Sequence, residues 1–156
     1  MHNKNYLCRE INGNVHIIKE SELVKRASVY GVIVSEDKIL LVKDRTSEDK
    51  WDLPGGGLEL NEDLIQALHR EIKEETGITL TQKPELICEF IEYFYDIETN
   101  KGWESTRSFF SIVWEGEPIF EGNMDDIVEC KFFEKNLESK EVAPVAREIV
   151  SMLLKQ

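Results

Sequence analysis

The sequence predicts an α/β fold in which a mixed β-sheet lies between helices. Two observations lead to this prediction: β-rich segments alternate with turn residues along the chain, and two amphipathic segments with helical periodicity interrupt and follow them. Strands that bracket amphipathic helices indicate a sheet with a helix on each face. The length of 156 residues and the apolar fraction of 41% suit one domain with a hydrophobic core.

The strands are predicted from apolar runs that end at turn residues. The first is NVHIIK, which follows the turn NGN, and the next two, RASVYGVIVS and ILLVK, form a hairpin around EDK. A polar loop, DRTSEDK, then leads to WDLPGGG, where the backbone must turn sharply. ELICEFIEYFYDI, STRSFFSIVWEGEP and VECKFF are the later strands. We expect residues 1–25 to be an N-terminal extension packed on a single domain at 26–156.

Two helices are predicted from apolar periodicity and end signals. The first runs from about Glu62 to Thr76, with Asn61 as the N-cap and Gly77 as the terminator. A helical wheel gives this helix a buried face that consists of Leu64, Ile65, Leu68 and Ile72. The second helix begins near Pro144, a favourable first-turn residue. Its predicted apolar stripe is Val145, Ile149, Met152 and Leu153.

The composition argues against several classes of protein. The net charge of −12 disfavours a non-specific nucleic-acid binder, although divalent cations could join an acidic protein to a polyphosphate. Cys8, Cys88 and Cys130 are odd in number and lack metal-ligand spacing, so we interpret them as reduced thiols. We see no signal-peptide pattern and no run of about 20 apolar residues, and we therefore expect a cytoplasmic protein without a membrane partner.

Three carboxylates crowd the end of the first helix, although like charges at i,i+4 oppose helix stability. Glu75 lies in line with the predicted apolar stripe and Glu71 lies at its edge, whereas Glu74 lies outside it. On the helical wheel, Arg70 lies beside Glu74 and can orient only that glutamate, while Lys73 points away from the cluster. Glutamates at i, i+3 and i+4 can present oxygens to one point, which suits Mg²⁺ or Mn²⁺. The alternative is a solvated acidic helix end.

The same region carries a specific pattern. Every fixed position of G-x5-E-x7-R-E-U-x-E-E-x-G-U, where U is a bulky aliphatic residue, is matched from Gly56 to Ile78. This pattern is the Nudix box, and the chain from about Arg26 onward resembles the Nudix hydrolase family. WDLPGG before the box and the hairpin VYGVIVSEDKILLVK also resemble that family. The resemblance implies an α/β/α sandwich.

The resemblance further implies a metal-dependent hydrolase that cleaves the diphosphate linkage of a nucleoside diphosphate joined to a group X. Candidates for the substrate include oxidised or ordinary nucleoside triphosphates, ADP-ribose, dinucleoside polyphosphates and sugar nucleotides. Arg70 would orient the catalytic glutamates, and Glu62 would support the loop before the helix. The ligands of Mg²⁺ or Mn²⁺ would be Glu71, Glu74, Glu75 and the backbone carbonyl of Gly56.

The general base stays open at this stage. Glu71 and Glu75 are candidates on the helix, and the late loop offers an acid that could act as the base or as an extra metal ligand. Asp126 is our first choice there, and Glu121 and Asp125 are alternatives. The non-functional alternative is that this acidic stretch is a solvated turn.

Substrate contacts are predicted from residue type and position. Three basic residues near the ends of the hairpin strands could contact phosphate, namely Arg26, Lys43 and Arg45. Basic residues on a surface are more often simply solvated. Four aromatic residues could stack on a base, namely Trp51, Tyr93, Tyr95 and Trp103. Packing in the core is the favoured interpretation of these residues. We interpret His69 as a surface residue.

Three other functions are alternatives to hydrolysis of a small nucleotide or other diphosphate. The first is a Nudix-fold sensor that binds a nucleotide without turnover, which has less need of all three glutamates. The second is an isoprenoid diphosphate isomerase, which is disfavoured because no cysteine lies in a box position. The third is the removal of pyrophosphate from RNA 5′ ends. Both a monomer and a homodimer are compatible with the sequence.

Overall fold

The structure is a computed structural model that describes residues 3–10, 13–44, 50–116, 127–137 and 141–155. Its strands are β1 (Asn5–Arg9), β2 (Val15–Lys19), β3 (Val24–Ser35), β4 (Lys38–Asp44), β5 (Trp51–Asp52), β6 (Gly55–Gly57), β7 (Glu85–Asp96), β8 (Lys101–Val113) and β9 (Ile127–Glu134). Its α-helices are α1 (Leu64–Thr76) and α2 (Pro144–Leu154). In these described ranges, no helix is long and apolar enough to span a membrane.

The strands form one mixed sheet with the order β2-β1-β7-β8-β3-β4-β5, while β6 also pairs with β3 and β9 pairs with β4. The β3–β8 pair is parallel and most other pairs are antiparallel. Alternate residues of β3 enter two separate cores. Val29 and Ile33 pack with Leu68 and Ile72 of α1, whereas Val32 packs with the core that includes α2. The predicted α/β fold, with a helix on each face of a mixed sheet, is confirmed.

Two glycines let β3 lie close to β6 and α1. β3 pairs with β6 at residues 28–30 and with β4 only near its end. Gly55 has φ of 154°, and a Cβ on it would lie 2.1 Å from the carbonyl oxygen of Val29. A Cβ on Gly31 would lie 2.9 Å from Cδ1 of Ile72. A side chain at Gly55 would therefore collide with the backbone of β3, whereas one at Gly31 would require the end of the Ile72 side chain to move.

The start of α1 differs from the prediction, while its end agrees. Asp63, not Asn61, is the N-cap, because Asp63 and Gln66 form a capping box with each other's backbone amides. Asn61 has a positive φ of 66° and lies in the preceding turn. Glu62 consequently lies outside the helix. Gly77 ends α1 in the left-handed conformation, as predicted.

The buried faces of the helices are shifted from the predicted ones. Ile65 is 39% exposed and Met152 is 42% exposed, so both assignments to a buried face were wrong. The residues that the helices bury most completely are Ala67, Leu68, Ile72, Thr76, Ala146, Ile149 and Val150. A wheel gives the direction of a side chain around the axis, but not whether the sheet extends beneath that turn of the helix.

The N-terminal residues form a β1–β2 hairpin that extends the sheet beyond β7. β1 was not predicted. The ring of Tyr6 stacks on Tyr93 with centroids 4.7 Å apart, and the ring of His16 stacks on Tyr95 at 3.6 Å. Cys8 of β1 is completely buried. All three cysteines are free thiols.

The core of α1 yields a stability prediction with a matched control. We expect Ile72→Ala to lower the free energy of unfolding by about 2–5 kcal/mol, because it leaves a cavity in a fully buried site. Ile65→Ala removes the same atoms from the exposed side of the same helix and should change stability by less than about 1 kcal/mol. Urea unfolding of both variants measures this difference, and equal losses would contradict the assigned helix face.

Candidate active site

Arg70 connects the loop after β6 to helix α1. Its Nε and Nη2 atoms donate to the two carboxylate oxygens of Glu62 at 2.7 and 2.9 Å, and Nη2 also donates to the carbonyl of Gly57 at 3.0 Å. Hydrogen bonding by Arg70 lowers the pKa of Glu62 to about 2. A bidentate ion pair of this kind fixes both the distance between its partners and their relative orientation. These contacts agree with the role that the Nudix resemblance implied for Glu62, which is to support this loop.

Arg70 reaches further than the helical wheel indicated. Its Nη1 atom donates to Glu71 at 2.8 Å and lies 3.4 Å from a carboxylate oxygen of Glu74. The expectation that Arg70 serves only Glu74 was therefore wrong. The wheel projects residues onto a circle, whereas the long Arg70 side chain bends toward the loop and brings its guanidinium alongside Glu71.

Glu71 is a largely enclosed carboxylate on α1. Its side chain is 14% exposed, and a Cβ on Gly56 would lie 2.7 Å from its Oε1 atom. Burial raises the pKa of Glu71, and the hydrogen bond from Arg70 opposes that shift only in part. The carboxylate thus stands against a backbone segment without a side chain, in a place where additional positive charge would stabilise its ionised form.

Glu75 turns toward the sheet, and Glu74 faces outward. The backbone amide of Gly55 donates to Glu75 Oε2 at 2.8 Å. Burial, and then the negative charge of Glu75, raise the pKa of the Cys130 thiol to about 12, which places Glu75 close to β9. The side chain of Glu74 is 46% exposed.

The three glutamates do not converge on one point in this arrangement. Among the residues that the structure describes, no group of three acidic, histidine or cysteine side chains is arranged to hold a metal ion. Arg70 donates to Glu71 and lies near Glu74, while the Gly55 amide donates to Glu75. The metal-ligand roles of Glu71, Glu74 and Glu75 stay a prediction.

A cavity of about 610 Å³ lies on the α2 side of the sheet, beside β6. We call it the sheet cavity, and its lining includes Arg26, Ser28, Tyr30, Glu92, Ser105 and Arg107. Arg26 links it to the Nudix box, because a Cβ on Gly57 would lie 3.2 Å from an Arg26 guanidinium nitrogen. Its volume is typical of a small-molecule site. A cavity of about 740 Å³ near Lys135 and Arg147 shares no lining residue with the box.

The other predicted substrate residues occupy different environments. Trp51 is 8% exposed and packs in the core against Phe133, with Lys43 Nζ 5.6 Å from its ring centroid. Tyr93 and Tyr95 line the sheet cavity, and their rings also stack on Tyr6 and His16. Trp103 stacks on Phe94. His69 is exposed, as predicted. The candidates that lie outside the described residues are Arg45, Glu121, Asp125 and Asp126.

The sequence interpretation overlooked the residues that line the sheet cavity with Arg26. Ser28 and Tyr30 share the face of β3 with Arg26, and Arg107 lies opposite Ser28 on β8. A signal was present, since polar residues at alternate positions of a buried strand need partners. It was not used because the strand was interpreted only as part of the core.

Comparisons with known proteins establish the family. The family model described as NUDIX domain matches residues 24–153. This chain therefore belongs to the Nudix family, in agreement with the complete box and the observed fold. Relatives of this chain are named as diphosphatases and pyrophosphohydrolases.

The similar proteins differ in how much of their length is matched. An 8-oxo-dGTP diphosphatase of Buchnera aphidicola subsp. Schizaphis graminum is 37% identical over 70 residues, which cover 43% of this chain and 52% of that protein. An RNA pyrophosphohydrolase of Halorhodospira halophila is 40% identical over 53 residues, or 34% of this chain and 29% of that protein. The chain thus spans about half or less of the length of these curated relatives.

A solved structure matches over a longer range. The MutT NUDIX hydrolase from Burkholderia pseudomallei superposes with a TM-score of 0.66, covering 83% of this chain and 98% of that one. The sequence identity is 24%, so this likeness shows the shared fold.

The Arg70–Glu62 pair yields a pH prediction. Folding lowers the pKa of Glu62 from 4.5 to about 2, so the pair stabilises the native state fully above about pH 5 and progressively less as pH falls toward 2. We expect Glu62→Gln to be less stable than the parent at pH 7, and the gap to narrow on acidification. Urea unfolding between pH 3 and pH 7 measures the gap.

Glu59 provides the control for this prediction. It lies 3.7 Å from Arg70 Nε with a side chain that is 67% exposed, so Glu59→Gln should have little effect at any pH. A constant gap between the parent and Glu62→Gln across the pH range would contradict the linkage.

Proposed function

We propose that this protein is a divalent-metal-dependent hydrolase that cleaves the diphosphate linkage of a nucleoside diphosphate joined to a group X. The observation that carries the proposal is the position of Glu71, an enclosed carboxylate with a raised pKa that faces the side-chain-free backbone at Gly56. This position, inside a complete Nudix box, supports a site that needs an additional cation.

The residues fit Mg²⁺ or Mn²⁺ by their chemistry. Carboxylate and carbonyl oxygens are the donors that hard cations prefer. The residues that would hold the metal are Glu71, Glu74, Glu75 and Gly56, the last through its carbonyl. When bound, the metal would lower the pKa of a water and stabilise negative charge on the phosphates.

The protein's own groups would hold the metal ligands in position and would remove a proton from the attacking water. Arg70 is held by Glu62 and therefore keeps Glu71 in one orientation against the glycine segment. The Gly55 amide does the same for Glu75. Either glutamate can accept a proton from the attacking water, and Asp126 remains a candidate for the same role on the late loop.

The sheet cavity is the proposed place for the organic part of the substrate. Arg26 lies at the border between this cavity and the box, which favours it over Lys43 as a phosphate contact. The names of the two relatives point to a nucleoside triphosphate in one case and to RNA in the other. We propose that the substrate is a small nucleotide, because the net charge of −12 opposes extended contact with a nucleic acid.

The first test removes single charges from the proposed metal ligands. We expect Glu71→Gln and Glu75→Gln to lower kcat/KM by about 100-fold or more, because electrostatic stabilisation of the transition state is lost. Phosphate and pyrophosphate release is measured with Mg²⁺ and a panel of nucleotides. The panel contains canonical and oxidised nucleoside triphosphates, ADP-ribose, dinucleoside polyphosphates and nucleotide sugars.

Glu148→Gln is the matched control, because it removes an exposed carboxylate from the other helix. It should leave the activity unchanged. Activities of Glu71→Gln and Glu75→Gln within a few-fold of the parent would contradict the metal-site proposal. Nucleotide binding by the parent without any turnover would favour a sensor.

A second test detects the metal without relying on turnover. We expect Mg²⁺ or Mn²⁺ at saturating concentration to raise the melting temperature of the parent by several degrees, since a ligand of the native state stabilises it. The increase should vanish in Glu71→Gln and persist in Glu148→Gln. EDTA should abolish hydrolysis and added Mg²⁺ should restore it, whereas full activity in excess EDTA would exclude this mechanism.

A further inference from the structure

The cavity of about 740 Å³ at helix α2 is separate from the site described so far. We call it the α2 cavity. It shares no lining residue with the Nudix box or with the sheet cavity, so the proposed hydrolysis does not use it. One wall is a face of α2, on which Arg147, Ser151 and Leu154 follow one another at i, i+4 and i+7. Residues 135–137, which follow β9, complete the lining.

Arg147 is the residue of this cavity whose charge the fold leaves without an evident partner. Its Nε atom is buried and has no hydrogen-bond partner within the described part of the chain. The ion pairs found among the described residues all join other side chains. An unpaired donor on a charged group lowers stability, so its presence calls for an explanation. Because Nε is covered, a ligand would reach the guanidinium through its terminal Nη groups.

Lys135 brings a second positive charge to the same cavity. Its Nζ atom lies 3.7 Å from Asp37, but that carboxylate is 93% exposed, and an exposed pair of this kind holds its partners weakly. Glu148 is the acidic residue of the lining, and it is exposed to water. Two cations and one acid leave one net positive charge. A singly charged anion balances this charge, whereas a polyphosphate would bring several negative charges to a protein of net charge −12.

The rest of the lining is largely apolar. Leu137 and Val150 are buried, and Pro144 and Leu154 also border the space. A carboxylate matches the planar guanidinium, which can donate two parallel hydrogen bonds to it, and an apolar body attached to that carboxylate would cover the leucine and valine side chains. The volume of the cavity suits a small molecule.

We propose that the α2 cavity binds a small amphiphilic carboxylate, with the carboxylate at Arg147 and Lys135 and the apolar body against Leu137 and Val150. The Ser151 hydroxyl, one helical turn after Arg147, can donate a further hydrogen bond to the carboxylate. Glu148 takes no part in these contacts. The proposal concerns a second ligand of the protein and does not depend on the proposed function.

The ligand class is tested with octanoate and three related probes. We expect octanoate to shift the side-chain Nε–Hε signal of Arg147 saturably in ¹H–¹⁵N spectra of the full chain. Each of the other probes lacks one required property and should bind at least about tenfold more weakly. Octanamide lacks the charge, acetate lacks the apolar chain, and inorganic pyrophosphate carries several charges. No saturable shift with octanoate, or an equal affinity for octanamide or pyrophosphate, would overturn the proposal.

Variants of α2 test the assigned contacts by calorimetric titration with octanoate. Arg147→Met keeps an apolar stem and removes the guanidinium, so it should weaken binding by about tenfold or more. Its melting temperature should stay unchanged or rise, because the Nε atom has no hydrogen bond to lose. Ser151→Phe keeps Arg147 and fills part of the cavity, so it should also weaken binding.

Lys155→Gln is the control for charge, because Lys155 is an exposed cation at the end of the same helix and does not line the cavity. It should bind octanoate as the parent does. Equal losses of affinity in Lys155→Gln and Arg147→Met would show a general effect of charge and refute the site. Unchanged affinity in Arg147→Met or in Ser151→Phe would refute it as well.

Discussion

The ion pair between Arg70 and Glu62 is the constraint on which the rest of the site depends. It joins a residue of α1 to the loop before the helix, and the same guanidinium holds the Gly57 carbonyl. Breaking a partly buried pair is costly because one charge then lacks its partner. Once Arg70 is held in this way, its remaining nitrogen can keep Glu71 against Gly56. The proposed metal site thus depends on a residue that would not itself bind the metal.

The glycines of β6 and the two-sided character of β3 make a compact site possible. Gly55 lets β6 approach the backbone of β3 more closely than any side chain would allow. Successive residues of β3 then face opposite sides of the sheet, with Val29 against α1 and Ser28 in the sheet cavity. The Nudix-box helix and the sheet cavity therefore lie on opposite faces of β3, with Arg26 at the border.

The comparisons fit this division between a shared scaffold and a variable pocket. The structure from Burkholderia pseudomallei superposes over most of the chain at 24% identity, whereas the matches to curated relatives cover shorter segments. Those relatives carry the names of different substrates. A fold can host many specificities because binding depends on particular side chains rather than on the architecture.

The sequence by itself determined the features that depend on local order. It predicted the main strands, the Nudix box and the end of α1 at Gly77, because each is encoded by residues close together in the chain. It failed for the N-cap at Asp63, for the exposure of Ile65 and for the reach of Arg70, since these depend on what the rest of the fold places beside them. Only the tertiary structure brought Ser28 of β3 against Arg107 of β8. Strand pairing across a long sequence separation has no local signal, because cross-strand contacts form between residues that the chain order keeps far apart.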